Sequence, residues 1–283
     1  MVSEKRKYLF KFYYIGSKKY HGSQRQLNFP TVESLLINAL QKKKYITDLK
    51  KANFEVASRT DKLVSARGAS FSIITRREPI LMEINSELSH EIGLWAYTKV
   101  PLDFSSRFNA LYRHYKYIHA LKYASFKEGL LISIDLMKKA CKALEGNHDF
   151  KNFTKRESNN IKTIRTLKLA SVDSEYDYLI FDFKSKSFLR QQIRRMVAKL
   201  IEVGMGKLSY EEFLQLLNIS TYISYQPANP IGLILWDIIY EDNIKFQTDI
   251  KSVDRMMNFF NREEKKVDLK RFLFHILQHN NVS

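Results

Sequence analysis

Apolar residues recur in this chain at two different spacings, and the chain switches between them irregularly. Stretches of period two predict strands, and spacings of three and four predict helices. Residues 8–15 (Tyr-Leu-Phe-Lys-Phe-Tyr-Tyr-Ile) predict an aromatic strand. Thr31 opens a helix that carries Val32, Leu35, Leu36, Ala39 and Leu40 on one side. A short strand over 54–58 leads into a polar turn, Arg59-Thr60-Asp61, and Ala69, Phe71 and Ile73 then alternate as a strand with one buried face. A helix is predicted over 82–92 and extended chain over 95–100.

From 107 to 121 the pattern is again strand-like, with Arg113, Tyr115, Tyr117 and His119 on one face. A helix over 134–145 buries Met137, Ala140, Cys141 and Leu144 and stops at Gly146. Strands near 165–172 and 178–184 follow, then a helix from 187 to 203, and Ser209 with Glu212 forms a capping box for a short helix. The stretch 232–240 predicts the last strand. Two further amphipathic helices are predicted in the charged tail, one through Met256, Phe259 and Phe260, the other through Leu269, Phe272, Leu273 and Ile276. Hairpin-like pairs and irregular alternation favour an α+β fold with mainly antiparallel sheet over a doubly wound one.

The 283 residues allow one or two domains at about 150 residues each. Lys and Arg number 47 against 30 Asp and Glu, a net charge of +17, which points to a polyanionic partner or, more plainly, to a solubility device. The lone Cys141 excludes an internal disulfide and a Cys-rich zinc site and reads as a packed thiol. No apolar run is long enough to span a bilayer, and Lys5, Arg6, Lys7 and Lys11 break up any signal-peptide core, so a soluble cytoplasmic protein without membrane contact is expected.

Several motifs fail on inspection. Gly204-Met205-Gly206-Lys207 lacks the glycine that a phosphate loop needs at position 201 and follows a helix, so it reads as a helix stop. His90-Glu91 meets Leu94 where a zincin needs its second histidine, and His114 and His119 face opposite sides of their strand. Nothing calls for a metal, nucleotide or flavin, and no cofactor is expected.

Three constellations remain. Ser58-Arg59-Thr60-Asp61-Lys62 places a carboxylate between cations in a turn, which suits a nucleophile or general base and equally an ordinary turn. Arg113-His114-Tyr115-Lys116-Tyr117 interleaves bases with rings, which fits RNA contact or a core strand with its cations turned outward. Phe188 to Met196 puts Arg190 and Arg194 one turn apart beside a buried stripe of Leu189, Ile193, Met196, Val197 and Leu200; a solvated basic face explains it as well.

In this order, these segments resemble the tRNA pseudouridine synthase A family. The resemblance spans most of 8–240 and includes Gly22-Ser23-Gln24-Arg25-Gln26, Thr31-Val32-Glu33, Ala57 to Asp61, Arg107-Phe108-Asn109-Ala110, Gly146 to Phe150, Thr163-Ile164-Arg165, the run Phe188 to Gly204, and Pro227-Ala228 before Gly232-Leu233. It implies a fold of two halves whose sheets meet at a basic cleft: 1–105 with the Asp loop, 106–240 with the Tyr strand and Arg helix, and 241–283 as a helical extension. It implies Asp61 as the essential carboxylate, Tyr115 against the target base, and Arg194 as partner of the carboxylate. RNA contacts follow from Arg59, Gln24, Arg25, Arg113, Lys116 and Arg190. The implied activity is isomerisation of uridine to pseudouridine in the tRNA anticodon stem-loop, at positions 38 to 40, by a cofactor-free homodimer; the alternatives are other tRNA positions or a non-catalytic tRNA-binding protein of this fold. The chain departs from the family pattern at Ile15, Ser23, Ser58 and Leu63, where Asp, Trp, Gly and Gly are usual, and its Gly16–Gly22 loop is one residue longer.

Overall fold

A computed structural model describes residues 4–121, 132–155, 162–218 and 222–279. Its centre is a 10-stranded sheet, built from β1 (Arg6–Tyr14), β2 (Glu55–Val56), β3 (Ser65–Thr75), β4 (Ile92–Val100), β5 (Tyr112–Ala120), β6 (Gly146–Asp149), β7 (Ile164–Glu175), β8 (Tyr178–Ser185), β9 (Leu233–Ile239) and β10 (Gln247–Thr248). The strand order is β10-β4-β1-β3-β9-β5-β8-β7-β6, with β2 added beside β3. β3 and β9 run parallel through Ser65–Ile234 and Ala66–Leu235, while the other described pairings are antiparallel. The α+β reading with mainly antiparallel sheet therefore holds.

The helices are α1 (Val32–Lys42), α2 (Leu81–Asn85), α3 (Ile134–Leu144), α4 (Gln192–Gly204), α5 (Tyr210–Gln215) and α6 (Ile250–His279). Thr31 caps α1, its hydroxyl accepting from the Ser34 amide at 3.2 Å while the Ser34 hydroxyl accepts from the Thr31 amide at 3.0 Å. The capping box of α5 is present as predicted, with Glu212 accepting from the Ser209 amide at 2.8 Å. In α3, Met137, Ala140, Cys141 and Leu144 are fully buried, and Gly146 follows with φ +95°. Burial pushes the Cys141 thiol up to about 12.

Five expectations are corrected. The strand at 65–75 is covered on both faces, since Ser70 and Ser72 are as buried as Phe71 and Ile73. The helix predicted over 82–92 ends at Asn85, and β4 already begins at Ile92. The helix predicted from 187 starts at Gln192, because Gln191 adopts a left-handed conformation (φ 60°) that no α-helix can run through. Strand β9 is not the last, since β10 pairs with β4 at the far edge of the sheet. The two tail helices are one: 241–283 contains neither Gly nor Pro, and nothing interrupts α6.

The first turns of α6 are tied to the N-terminal strands. Met256 and Phe259 pack on Tyr13. The Asn85 side chain donates to the Leu94 carbonyl at 2.8 Å and to the Ser252 hydroxyl at 3.1 Å. The Arg255 guanidinium donates to the Leu88 and Ser89 carbonyls, each at 3.0 Å, and to the Tyr13 hydroxyl at 3.0 Å. Beyond Asn261, Leu269, Phe272, Leu273 and Ile276 lie exposed. Arg255→Ala, which strands this set of acceptors, is expected to lower unfolding free energy by about 2 kcal/mol, read as a reduced urea midpoint at unchanged slope.

Candidate active site

Strands β3 and β9 start at the same end of the sheet because they run parallel. The segments that lead into them are therefore neighbours: Asp61 four residues ahead of Ser65, and Ala228 a short way ahead of Leu233. Helix α4 docks against the second lead-in. The Ala228 amide donates to the Arg194 carbonyl at 2.9 Å, and the Arg194 Nε donates back to the Ala228 carbonyl at 2.7 Å. With Nε fixed, the other end of the guanidinium projects toward Asp61, and Nη1 stands 3.4 Å from Oδ2. The Arg194 side chain is 10% exposed and that of Asp61 39%, so the arginine forms the floor and the carboxylate faces the opening. Burial draws the Arg194 guanidinium down from the usual arginine value and Asp61 offsets part of that; an arginine so placed remains a cation.

The turn carrying Asp61 is held from behind. The Ser23 hydroxyl accepts from the Thr60 amide at 2.7 Å and donates to the Thr60 carbonyl at 3.3 Å, and the Ser23 amide reaches the same carbonyl at 3.2 Å. The Tyr14 hydroxyl lies 2.7 Å from the Thr60 hydroxyl. Leu63 sits in the left-handed region at φ 70°, a conformation that costs a leucine on the order of 1 kcal/mol. That is the position where the resembling family carries Gly. Gly16 packs against the Leu63 carbonyl so closely that any Cβ there would collide with it.

Tyr115 reaches the same turn from β5. Its hydroxyl is 3.1 Å from that of Ser58, and its ring meets Phe188 edge-on at 5.3 Å. Burial pushes the Tyr115 phenol up, against the opposing effects of Ser58 and Arg113, so it carries its proton at neutral pH. A carboxylate, a guanidinium and a neutral phenol thus converge from the β2–β3 turn, α4 and β5. A single acid beside a fixed cation can act as nucleophile or base on an electrophilic carbon, with the ring as a wall for a flat group.

The other sequence-predicted residues divide. Arg59, Gln24, Arg25 and Arg190 are exposed around this turn and the start of α4. Arg190 precedes the helix rather than lying one turn from Arg194 within it. Arg113 is 7% exposed and spends its guanidinium on the carbonyls of Ala57, Arg107, Ala110 and Lys186. It braces the Asp turn from inside, with both terminal nitrogens committed to backbone carbonyls. Lys116 lies on the other face of β5, where it and His114 pair with Asp182 at 3.0 and 2.5 Å, so the one-residue offset from Tyr115 turns it away. Sequence reasoning gave no role to Tyr14 or Ala228, and gave Ser23 and Ser58 none beyond their place in the quoted motifs and among the departures. Tyr14 reads as one more core aromatic, and a backbone carbonyl leaves no trace in sequence. Among the described residues no group of three His, Cys, Asp or Glu is placed to hold a metal ion, and no helix is long and apolar enough to cross a membrane.

Comparison with known proteins adds to this geometry. A family model described as tRNA pseudouridine synthase matches residues 140–241. Among curated proteins, one from Methanosphaera stadtmanae is 34% identical over 94% of this chain and 97% of its own length. Relatives from Methanosarcina acetivorans (36% identical, 87% of this chain and 88% of theirs) and Pyrococcus furiosus (34%, 87% and 87%) are similar; all three are named tRNA pseudouridine synthase A. At 94% coverage fewer residues stay unaligned than 241–283 contains, so the likeness runs into the tail, past the 8–240 read from motifs.

Ser58→Ala removes the bond that opposes burial of the phenol. The Tyr115 pKa is expected to rise further, read by NMR titration of the ring carbons against wild type, with a stability loss of about 1 kcal/mol.

Proposed function

The chain belongs to the tRNA pseudouridine synthase A family and isomerises uridine to pseudouridine in tRNA, and we propose that it acts on the anticodon stem-loop, at positions 38 to 40, with Asp61, Tyr115 and Arg194 as the reacting machinery. The observation that carries the site assignment is the Asp61–Arg194 approach at 3.4 Å, made between segments 133 residues apart.

The reaction exchanges the C1′–N1 glycosidic bond for a C1′–C5 bond. The Asp61 carboxylate acts on the ribose, at C1′ or at the C2′ proton, while the N1 bond breaks. The uracil turns and C5 bonds to C1′ as the Asp61–C1′ bond breaks or, on the other route, as Asp61 returns the proton to C2′. The C5 proton then passes to the freed carboxylate or to water and N1 takes one up, so atoms and electrons balance. Arg194 supplies the counter-charge that lets a lone carboxylate sit partly out of water. Tyr115 walls the everted base, which must leave the stack to be reached. The exposed Arg59, Gln24, Arg25 and Arg190 are positioned to hold the backbone, and the +17 charge supplies salt-sensitive affinity. We assign the Asp turn to a 1–105 half, the tyrosine strand and arginine helix to a 106–240 half, and 241–283 to an extension. The cytoplasm is the proposed site of action.

Incubation with unmodified tRNA followed by pseudouridine mapping tests this. Asp61→Ala is expected to lose product by at least about a hundredfold while keeping salt-sensitive tRNA binding. Tyr115→Phe is expected to bind within a few-fold of wild type and to turn over more slowly; equal loss of both makes the ring structural. Product at positions other than 38 to 40 overturns the target assignment alone. The exposed stripe Leu269, Phe272, Leu273 and Ile276 supports a homodimer through α6. Light scattering is expected to give twice the chain mass, reduced to one chain by Leu273→Glu with Ile276→Glu.

A further inference from the structure

The loop between Gly16 and Thr31 carries two side chains that a water-facing loop does not need. Leu27 is fully exposed and Phe29 is 49% exposed. Phe29 is nevertheless ordered: its ring stacks on His21 with centroids 4.2 Å apart and planes 17° from parallel. His21 is itself fixed, its amide donating to the Pro30 carbonyl at 2.9 Å and its own carbonyl accepting from the Gln26 side chain at 2.7 Å. The stack is therefore built before any ligand arrives, which removes the cost of ordering it on binding.

Its position is set by the residues on either side. Gly22, next to His21, lies against the backbone of Thr60, Asp61 and Lys62. The His21 Nε2 is 3.5 Å from the Lys62 Nζ. A flat, half-exposed π surface thus stands beside the Asp61 turn, rimmed by the exposed cations Arg25, Arg59 and Lys62. Cations beside an open ring match a nucleotide, whose base has a π face and whose phosphate is anionic. They do not match an apolar peptide, which would leave those charges without partners.

We infer that the Phe29–His21 stack is a second base-binding platform, which takes an unpaired nucleobase neighbouring the uridine at Asp61. This rests on the reading of Asp61 as the reacting carboxylate on tRNA. Such a platform holds the loop open: a neighbour stacked on protein no longer stacks on the target, so the target leaves the helix at lower cost. Leu27, at the tip, extends the apolar edge of the same surface.

Filter binding of Phe29→Ala, Phe29→Trp and wild type tests it, using unmodified tRNA transcript and a fully base-paired RNA duplex of equal length, with pseudouridine formation scored in the same samples. Phe29→Ala is expected to weaken tRNA binding about tenfold (about 1.4 kcal/mol), to leave duplex binding unchanged, and to be restored by Phe29→Trp. Unchanged tRNA binding in Phe29→Ala, equal loss for tRNA and duplex, or failure of Trp to restore overturns the platform. Phe29-dependent tRNA binding without pseudouridine in wild type upholds the platform and removes the catalytic reading. Absence of tRNA binding by wild type removes both.

Discussion

The approach of Asp61 to Arg194 is the constraint on which the rest of this molecule turns. It joins parts of the chain that share no local structure, and it exists because β3 and β9 run parallel for two residue pairs. An antiparallel join would have placed the lead-in segments at opposite ends of the sheet. The parallel one sets the Asp turn beside Ala228, and Ala228 holds Arg194 by a reciprocal pair of hydrogen bonds. The guanidinium is therefore oriented by backbone before it meets the carboxylate, and little side-chain freedom remains to be lost in forming the pair.

The elements that follow from local pattern were legible in the sequence. The Thr31 cap, the Ser209–Glu212 box and the Met137–Leu144 stripe need only neighbours a few residues away, and all three are present. The boundaries that failed depend on backbone conformations that periodicity does not encode. Gln191 in the left-handed region cuts five residues from the start of α4, and the absence of any breaker in 241–283 fuses two expected helices. The two buried faces of β3 were hidden because serines at 70 and 72 read as the solvent side.

At the site, side chains carrying charge were found and the groups holding them were not. Asp61, Tyr115 and Arg194 were singled out by the family resemblance; taken one by one, an ordinary turn, a core strand and a solvated helix face explained them as well. Arg113 shows the reverse problem. Its chemistry suits a phosphate, and only its burial beneath four carbonyls reveals a strut. Lys116 fails for a simpler reason, the two-residue alternation that sends adjacent side chains to opposite faces.

Tyr13 and Tyr14 are adjacent on β1 and so point to opposite sides of the sheet. The first binds Arg255 and packs on Met256, while the second touches Thr60 beside the carboxylate. The C-terminal helix and the Asp turn thus hang from one strand end as two arms of a single lever. Arg255 and Met256, on one side of the sheet, therefore bear on the same strand end from which Tyr14 reaches Thr60 on the other. The distal turns of α6 touch none of this, so a partner can seat on them without pulling on either arm.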